Sequence, residues 1–216
     1  MARVGQAAVD SSVRPVFTIV NSQNPPGKSQ LRDSVRRRIR EMAETERREA
    51  SERAVALCAA QPLWERSSSI LLFAPLVEEL DAWPLLAEGL RSGKQMLLPR
   101  YKSGHYVACE IKNPDMDLEP GKFGIREPTG SCRELSLNRL DLVLVPGIAF
   151  DLQGRRLGRG KGFYDRLLAE VRGTTCGVAF DEQIVPEVPV EPHDKRVDCI
   201  LTPTRWIELW QRAGSE

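Results

Sequence analysis

Asp141-Leu-Val-Leu-Val-Pro-Gly-Ile-Ala-Phe-Asp-Leu-Gln-Gly-Arg-Arg-Leu-Gly-Arg-Gly-Lys-Gly-Phe-Tyr-Asp165 is the stretch on which the reading of this chain turns. It opens as a run of valine and leucine bounded by Asp141 and by Pro146-Gly147, the pattern of a short strand buried on both faces. A loop follows with glycine at 158, 160 and 162 and with Arg155, Arg156, Arg159 and Lys161 between them. Tyr164 and Asp165 lead into an apolar helix read from Gly160 to Val171. Glycines allow backbone N–H groups to approach an anion closely, and interleaved cations neutralise it. A buried strand that feeds a basic glycine loop at a helix start describes a phosphate cradle. Two common nucleotide motifs do not fit. A Walker A loop needs glycine five residues before Gly160, where Arg155 stands, and a hydroxyl where Gly162 stands; the dinucleotide fingerprint needs a different glycine spacing. The bland alternative is a surface hairpin with incidental arginines. The fixed order of strand, Pro-Gly, glycine loop and aromatic-Tyr-Asp weighs against it.

Composition sets the frame around this loop. At 216 residues and a net charge of +1, the chain suits one sizeable core and offers no global attraction to nucleic acid. Five cysteines with no Cys-x-x-Cys pair argue against a disulfide framework or a zinc site and for a reducing compartment. No apolar run reaches membrane-spanning length. The expected setting is cytoplasmic, with no membrane and no nucleic-acid partner. Residues 1–27, rich in Ser, Asn, Gln and Pro, read as a disordered N-terminal extension, and 28–216 as a single domain.

Helical spacing appears from Lys28 to Met42, with Leu31, Val35, Ile39 and Met42 in one stripe, and again from Glu46 to Ala60, with Ala50, Ala54 and Leu57. Arg36-Arg-Arg-Ile-Arg40 reads as the solvated face of the first helix, paired with glutamates three and four residues on. Lys28 and Arg32, four apart on its first turn, present two cations on one face. Ser69–Pro75 is a buried strand. Leu76–Ala82 is a loop carrying Glu78 and Glu79, with Asp81 as N-cap of a helix from Trp83 to Arg91. Strands follow at Gln95–Arg100 and His105–Ile111. Residues 113–138 read as loop, with Leu135 and Leu137 as packing. Thr174–Phe180 and Ile200–Thr202 are strands, and Arg205–Gln211 a short amphipathic helix. Alternating helices and buried strands give an α/β fold with helices on both sheet faces.

Pro146-Gly-Ile-Ala-Phe-Asp151 and Arg156-Leu-Gly-Arg-Gly-Lys-Gly-Phe-Tyr-Asp165 together resemble the signature of the 5-formyltetrahydrofolate cyclo-ligases, also called 5,10-methenyltetrahydrofolate synthetases. The resemblance extends to Lys28-Ser-Gln-Leu-Arg32, to Glu79 beside Leu80-Asp81, to Pro99-Arg100, to Phe123-Gly-Ile-Arg-Glu-Pro128, and to Ala179-Phe-Asp-Glu-Gln183. Ala82 stands where the family has threonine. The resemblance implies a three-layer α/β/α sandwich of the NagB/RpiA/CoA-transferase-like group. It implies ATP-dependent conversion of 5-formyltetrahydrofolate, with or without a polyglutamate tail, to 5,10-methenyltetrahydrofolate, ADP and phosphate through a phosphorylated formyl group. ATP would be bound by Lys28, Ser29, Gln30, Leu31 and Arg32 and by Arg156, Leu157, Gly158, Arg159, Gly160, Lys161, Gly162, Phe163 and Tyr164. Lys161, Arg159 and Tyr164 would act in catalysis, Ala74, Glu79 and Arg100 would meet the folate, and Asp165 and Asp194 would hold Mg2+. Two other classes fit the same loop: a non-catalytic folate- or nucleotide-binding module, and an ATP-dependent phosphoryl-transfer enzyme with another acceptor.

Overall fold

The computed structural model describes residues 27–121 and 124–209. The expected extension therefore lies outside the described residues but for Gly27, as do Phe123, Trp210 and Gln211. Helices α1 (Lys28–Glu41), α2 (Glu44–Ala59) and α3 (Pro62–Arg66) precede strand β1 (Ser69–Leu71). Helix α4 (Trp83–Arg91) then leads to the hairpin of β2 (Gln95–Lys102) and β3 (His105–Ile111). The segment read as loop holds short pieces instead: α5 (Pro114–Asp117), β4 (Leu118–Pro120), β5 (Arg126–Pro128) and β6 (Glu134–Leu135). Residues 141–165 contribute β7 (Leu142–Pro146), β8 (Ala149–Phe150) and β9 (Arg156–Leu157). Helix α6 (Phe163–Glu170), β10 (Thr174–Val178), β11 (Cys199–Leu201) and β12 (Trp206–Glu208) complete the chain.

The main sheet runs β12-β11-β10-β7-β1-β2-β3-β6. Its centre, from β11 to β2, is parallel, and antiparallel strands flank it on both sides. Alternate residues of each strand enter opposite cores. Ile70, Leu72, Met96, Leu98, Leu142 and Leu144 pack with α1 to α4, whereas Leu71, Leu97, Val143 and Val145 pack with Leu167 and Leu168 of α6. This is the three-layer α/β/α arrangement. The crossover from β1 through α4 runs to β2, and that from β7 through α6 runs to β10, in opposite directions along the sheet. Right-handed crossovers in opposite directions must cover opposite faces. Strands β1 and β7 are neighbours where the direction reverses, and ligands bind open α/β sheets outside the carboxyl ends of such strands.

Four local expectations are corrected. Helix α6 starts at Phe163 and not at Gly160, because Gly160 and Gly162 have φ of 94° and 63° and cannot continue a right-handed helix. The C-terminal segment is strand β12, since the open edge of β11 offers Trp206–Glu208 a ladder. Asp81 sits one residue before the N-cap position of α4, at Ala82, although its Oδ1 does accept the Trp83 N–H at 2.9 Å. In the arginine run, Arg40 pairs with Glu78 at 2.9 Å, across to the loop after β1, and not with a glutamate on its own helix.

Candidate functional site

The loop between β7 and α6 is built in two steps. β8 and β9 pair antiparallel, so Phe150 faces Arg156 and Ala149 faces Leu157. The tight turn between them is organised by Asp151, which is fully buried. Its Oδ1 accepts the N–H groups of Gln153 at 2.9 Å and Arg155 at 3.0 Å, and its Oδ2 accepts that of Val188 at 2.9 Å. Gln183, also buried, donates to the carbonyls of Gly147 and Ile148 and so fixes the turn after β7. Arg156 leaves this scaffold as a buried cation whose Nη2 meets Asp165 Oδ1 at 2.9 Å. A Cβ on Gly158 would lie 2.8 Å from Arg156 Nη1, and one on Gly147 would lie 3.2 Å from Arg156 Cγ. Gly158 thus makes room for the guanidinium, and Gly147 for the Phe150 ring and the Arg156 stem.

Helix α1 closes the site from one side. Arg32 Nε donates to the Gly158 carbonyl at 2.9 Å, and Lys28 Nζ meets Asp194 Oδ2 at 2.7 Å and Glu191 Oε1 at 3.1 Å. Burial alone would raise the Asp194 carboxyl, but the Lys28 hydrogen bond and the Glu191 N–H outweigh it and hold it below the usual 3.8. Burial likewise opposes the Lys28 charge, and its two acidic partners still carry it above the usual 10.5. A depressed carboxylate stabilises the fold above its unfolded value and loses that contribution as pH falls through the folded value; a raised lysine loses its share only as pH rises through its own. The pair therefore holds α1 to the 191–194 loop from about pH 4 to above pH 10. Lys28→Ala lowers the melting temperature by about 1–3 °C at pH 7. Thermal melts taken at decreasing pH show that gap narrowing as the pH falls below about 4; a gap that does not change with acidification refutes the assignment.

Across the loop, the turn after β1 supplies Glu79. Its Oε2 accepts the Leu76 N–H at 3.1 Å, and its Oε1 receives Arg159 through Nη2 at 2.9 Å and Nε at 3.3 Å. Behind this pair lies an aromatic group. Phe163 packs edge-on to Tyr101 and Tyr106 with ring centroids 5.2 and 5.5 Å away, and Tyr106 lies 5.9 Å from Tyr164. The Arg156 guanidinium sits over the Tyr164 ring at 5.6 Å. Burial, then the Glu79 and Tyr106 charges, push the Tyr164 phenol well above its usual range. At neutral pH Tyr164 is thus a neutral donor and a packing surface, not a base.

Most of the residues singled out in the sequence converge here. Lys28, Arg32, Arg156, Arg159, Gly160, Lys161, Gly162, Phe163, Tyr164, Asp165 and Asp194 lie on the glycine loop or on the elements clasping it. Ser29 and Gln30 are exposed on the first turn of α1, while the side chain of Leu31 belongs to the core. Leu157 is buried in β9, and Ala74 is half-buried just beyond β1. Arg100 lies on β2 with its guanidinium beside Gly130. Among the described residues no three or more His, Cys, Asp or Glu side chains gather as a metal cage. The Lys195 N–H, next to Asp194, points at Asp165 Oδ1 at 3.5 Å, so Asp165, in the first turn of α6, adjoins the loop that carries Asp194. A pair of carboxylates completed by phosphate oxygens and water is the set Mg2+ takes beside a nucleotide. The donors fit a metal that arrives with a triphosphate. Three contributors carry little signal in the sequence: Glu191, marked only by its place three residues before Asp194, and Tyr101 and Tyr106, which look like ordinary strand residues.

A family model described as the 5-formyltetrahydrofolate cyclo-ligase family matches residues 24–203. The 5-formyltetrahydrofolate cyclo-ligase of Mus musculus is 34% identical over 184 residues, covering 79% of this chain and 91% of that protein. The Escherichia coli K12 cyclo-ligase is 31% identical over 184 residues, covering 82% and 99%. Among solved structures, the Aquifex aeolicus 5,10-methenyltetrahydrofolate synthetase superposes with a TM-score of 0.79 at 34% identity, covering 88% of this chain and 96% of that one. A Mycoplasma pneumoniae synthetase, at 20% identity and a TM-score of 0.67, bears on the fold alone.

Proposed function

This chain belongs to the 5-formyltetrahydrofolate cyclo-ligase family, the ATP-dependent ligases that convert 5-formyltetrahydrofolate to 5,10-methenyltetrahydrofolate, and from that premise we propose that its reaction proceeds by phosphorylation of the formyl oxygen over the glycine loop. The observation that carries this reading is that one loop touches two sides: Arg32 of α1 holds Gly158, and Arg159 reaches Glu79 beyond β1.

Oxide or hydroxide is a poor leaving group from the formyl carbon. In the proposed sequence the formyl oxygen attacks the γ-phosphorus, forming an O–P bond while the bond to the β-phosphate bridge breaks and ADP leaves. N10 then attacks the resulting iminium carbon, the C–O bond breaks with loss of phosphate, and N10 gives up its proton as the ring closes. Arg156 and Lys161 would neutralise the equatorial oxygens during transfer, Lys28 and Arg32 would hold the rest of the triphosphate, and Glu79 would orient the folate through hydrogen bonds. Asp165 and Asp194 would share Mg2+, which when bound draws charge from the phosphates. Phe163 and Tyr164 supply a flat apolar wall. The five cysteines, all free thiols, support a cytoplasmic setting, and among the described residues no helix is long and apolar enough to cross a membrane.

The test is ATP-dependent appearance of methenyltetrahydrofolate absorbance from 5-formyltetrahydrofolate, with ADP and phosphate formed in equal amounts. ATP hydrolysis without that absorbance change would assign the loop to another acceptor.

A further inference from the structure

Arg159 and Glu79 come from different loops, after β7 and after β1, and would serve different ligands. Resting on the function proposed above, we propose that their ion pair couples the two subsites, so that folate and nucleotide bind synergistically. One atom is contested. Both Arg159 nitrogens converge on Glu79 Oε1, at 2.9 and 3.3 Å, while Oε2 is already held by the Leu76 N–H. The Glu79 side chain is 11% exposed and that of Arg159 is 41% exposed. The carboxylate is therefore recessed, and the guanidinium stands at the mouth, able to turn outward.

In the free protein the pair is self-satisfied, and each partner opposes the other's ligand. A nucleotide alone must draw Arg159 away and leave a recessed carboxylate without its cation, which is costly. A folate alone must compete with Arg159 for Oε1. When both arrive, the triphosphate takes the guanidinium and the folate N–H groups take the freed oxygen, so neither group is left unpaired. Such coupling is reciprocal, and for one partly exposed pair it amounts to roughly 5- to 20-fold in each affinity. The same exchange keeps the phosphate-facing arginine withdrawn until an acceptor is present, which disfavours transfer to water.

The experiment measures binding of a non-hydrolysable ATP analogue with Mg2+ by calorimetry, alone and with a saturating tetrahydrofolate that lacks the formyl group. In the wild type the folate tightens nucleotide binding about 10-fold. Glu79→Gln, which frees Arg159, tightens binding of the nucleotide alone by about 3- to 10-fold, weakens folate binding and removes the synergy. A merely structural role for Glu79 predicts unchanged or weaker nucleotide binding, and that outcome overturns the proposal. Arg159→Gln provides the converse arm: the folate alone binds more tightly and the synergy again disappears. Turnover of 5-formyltetrahydrofolate is followed on the same wild-type preparation. Normal turnover with no synergy sinks the coupling alone, whereas absent turnover sinks the proposed function beneath it.

Discussion

Replacing Lys161 with alanine lowers kcat by about 10²- to 10³-fold and leaves the melting temperature within about 1 °C of the wild type. Lys161 is exposed and stands between Gly160 and Gly162, both in left-handed backbone conformations. The loop's path is set by those two glycines, by Arg32 on the Gly158 carbonyl and by the Arg156–Asp165 pair. Truncating an exposed side chain there opens no cavity, so the fold has little to lose. On the phosphoryl transfer proposed above, what disappears is a cation at the point where charge would spread over the phosphoryl oxygens. Lys161→Arg keeps the charge but spreads it over a planar fork, and recovers part of the rate. The readout is the initial rate of methenyltetrahydrofolate formation at saturating ATP, beside a thermal melt. A rate within threefold of wild type for the alanine variant removes Lys161 from the phosphoryl step.

The parts of the fold legible in sequence are those fixed by local pattern. Leu142–Val145 could be read as a doubly buried strand because both of its faces meet a core, and the Leu31, Val35, Ile39 stripe because α1 covers the sheet on one side only. The glycine loop was legible for the same reason: its glycines answer to local geometry, a positive φ at 160 and 162 and close approach at 158. Pairings between distant side chains were not legible. Arg156 and Asp165 are nine residues apart and were expected to serve different ligands, yet they bind each other. Glu79 meets Arg159 across 80 positions, and Lys28 meets Asp194 across 166. Periodicity carries no information about such partners, which depend on which strand ends the sheet order brings together. Three residues are too few to show a period, so the C-terminal segment takes its conformation from the free edge of β11.

Asp151→Ala destabilises the protein by about 3–5 kcal/mol, a loss of roughly 10 °C or more in melting temperature. The carboxylate is fully buried and accepts three backbone N–H groups, from Gln153, Arg155 and Val188, with Arg155 Nη1 a further 3.6 Å from Oδ2. Alanine leaves those donors without an acceptor where water does not reach, and each orphaned group costs about 1–3 kcal/mol. It also leaves Arg155 facing only Glu187, at 2.7 Å on the surface. Asp151→Asn separates the contributions. Its one oxygen can satisfy either the Gln153 and Arg155 donors or Val188, while its amide NH2 opposes the remaining N–H, so its stability falls between alanine and wild type. The consequence for activity follows from position. Arg156 is the residue that ends the turn Asp151 organises, and β9 carries it to Asp165. A loosened turn therefore misplaces the buried Arg156–Asp165 pair, and if Arg156 neutralises the phosphates as proposed above, kcat falls even at temperatures where the variant is fully folded. Melting curves of the three proteins give the order Asp, Asn, Ala, and turnover at 15 °C follows the same order. An alanine variant that melts with the wild type shows that the three donors find other acceptors, and that the hairpin between β8 and β9 does not depend on this carboxylate.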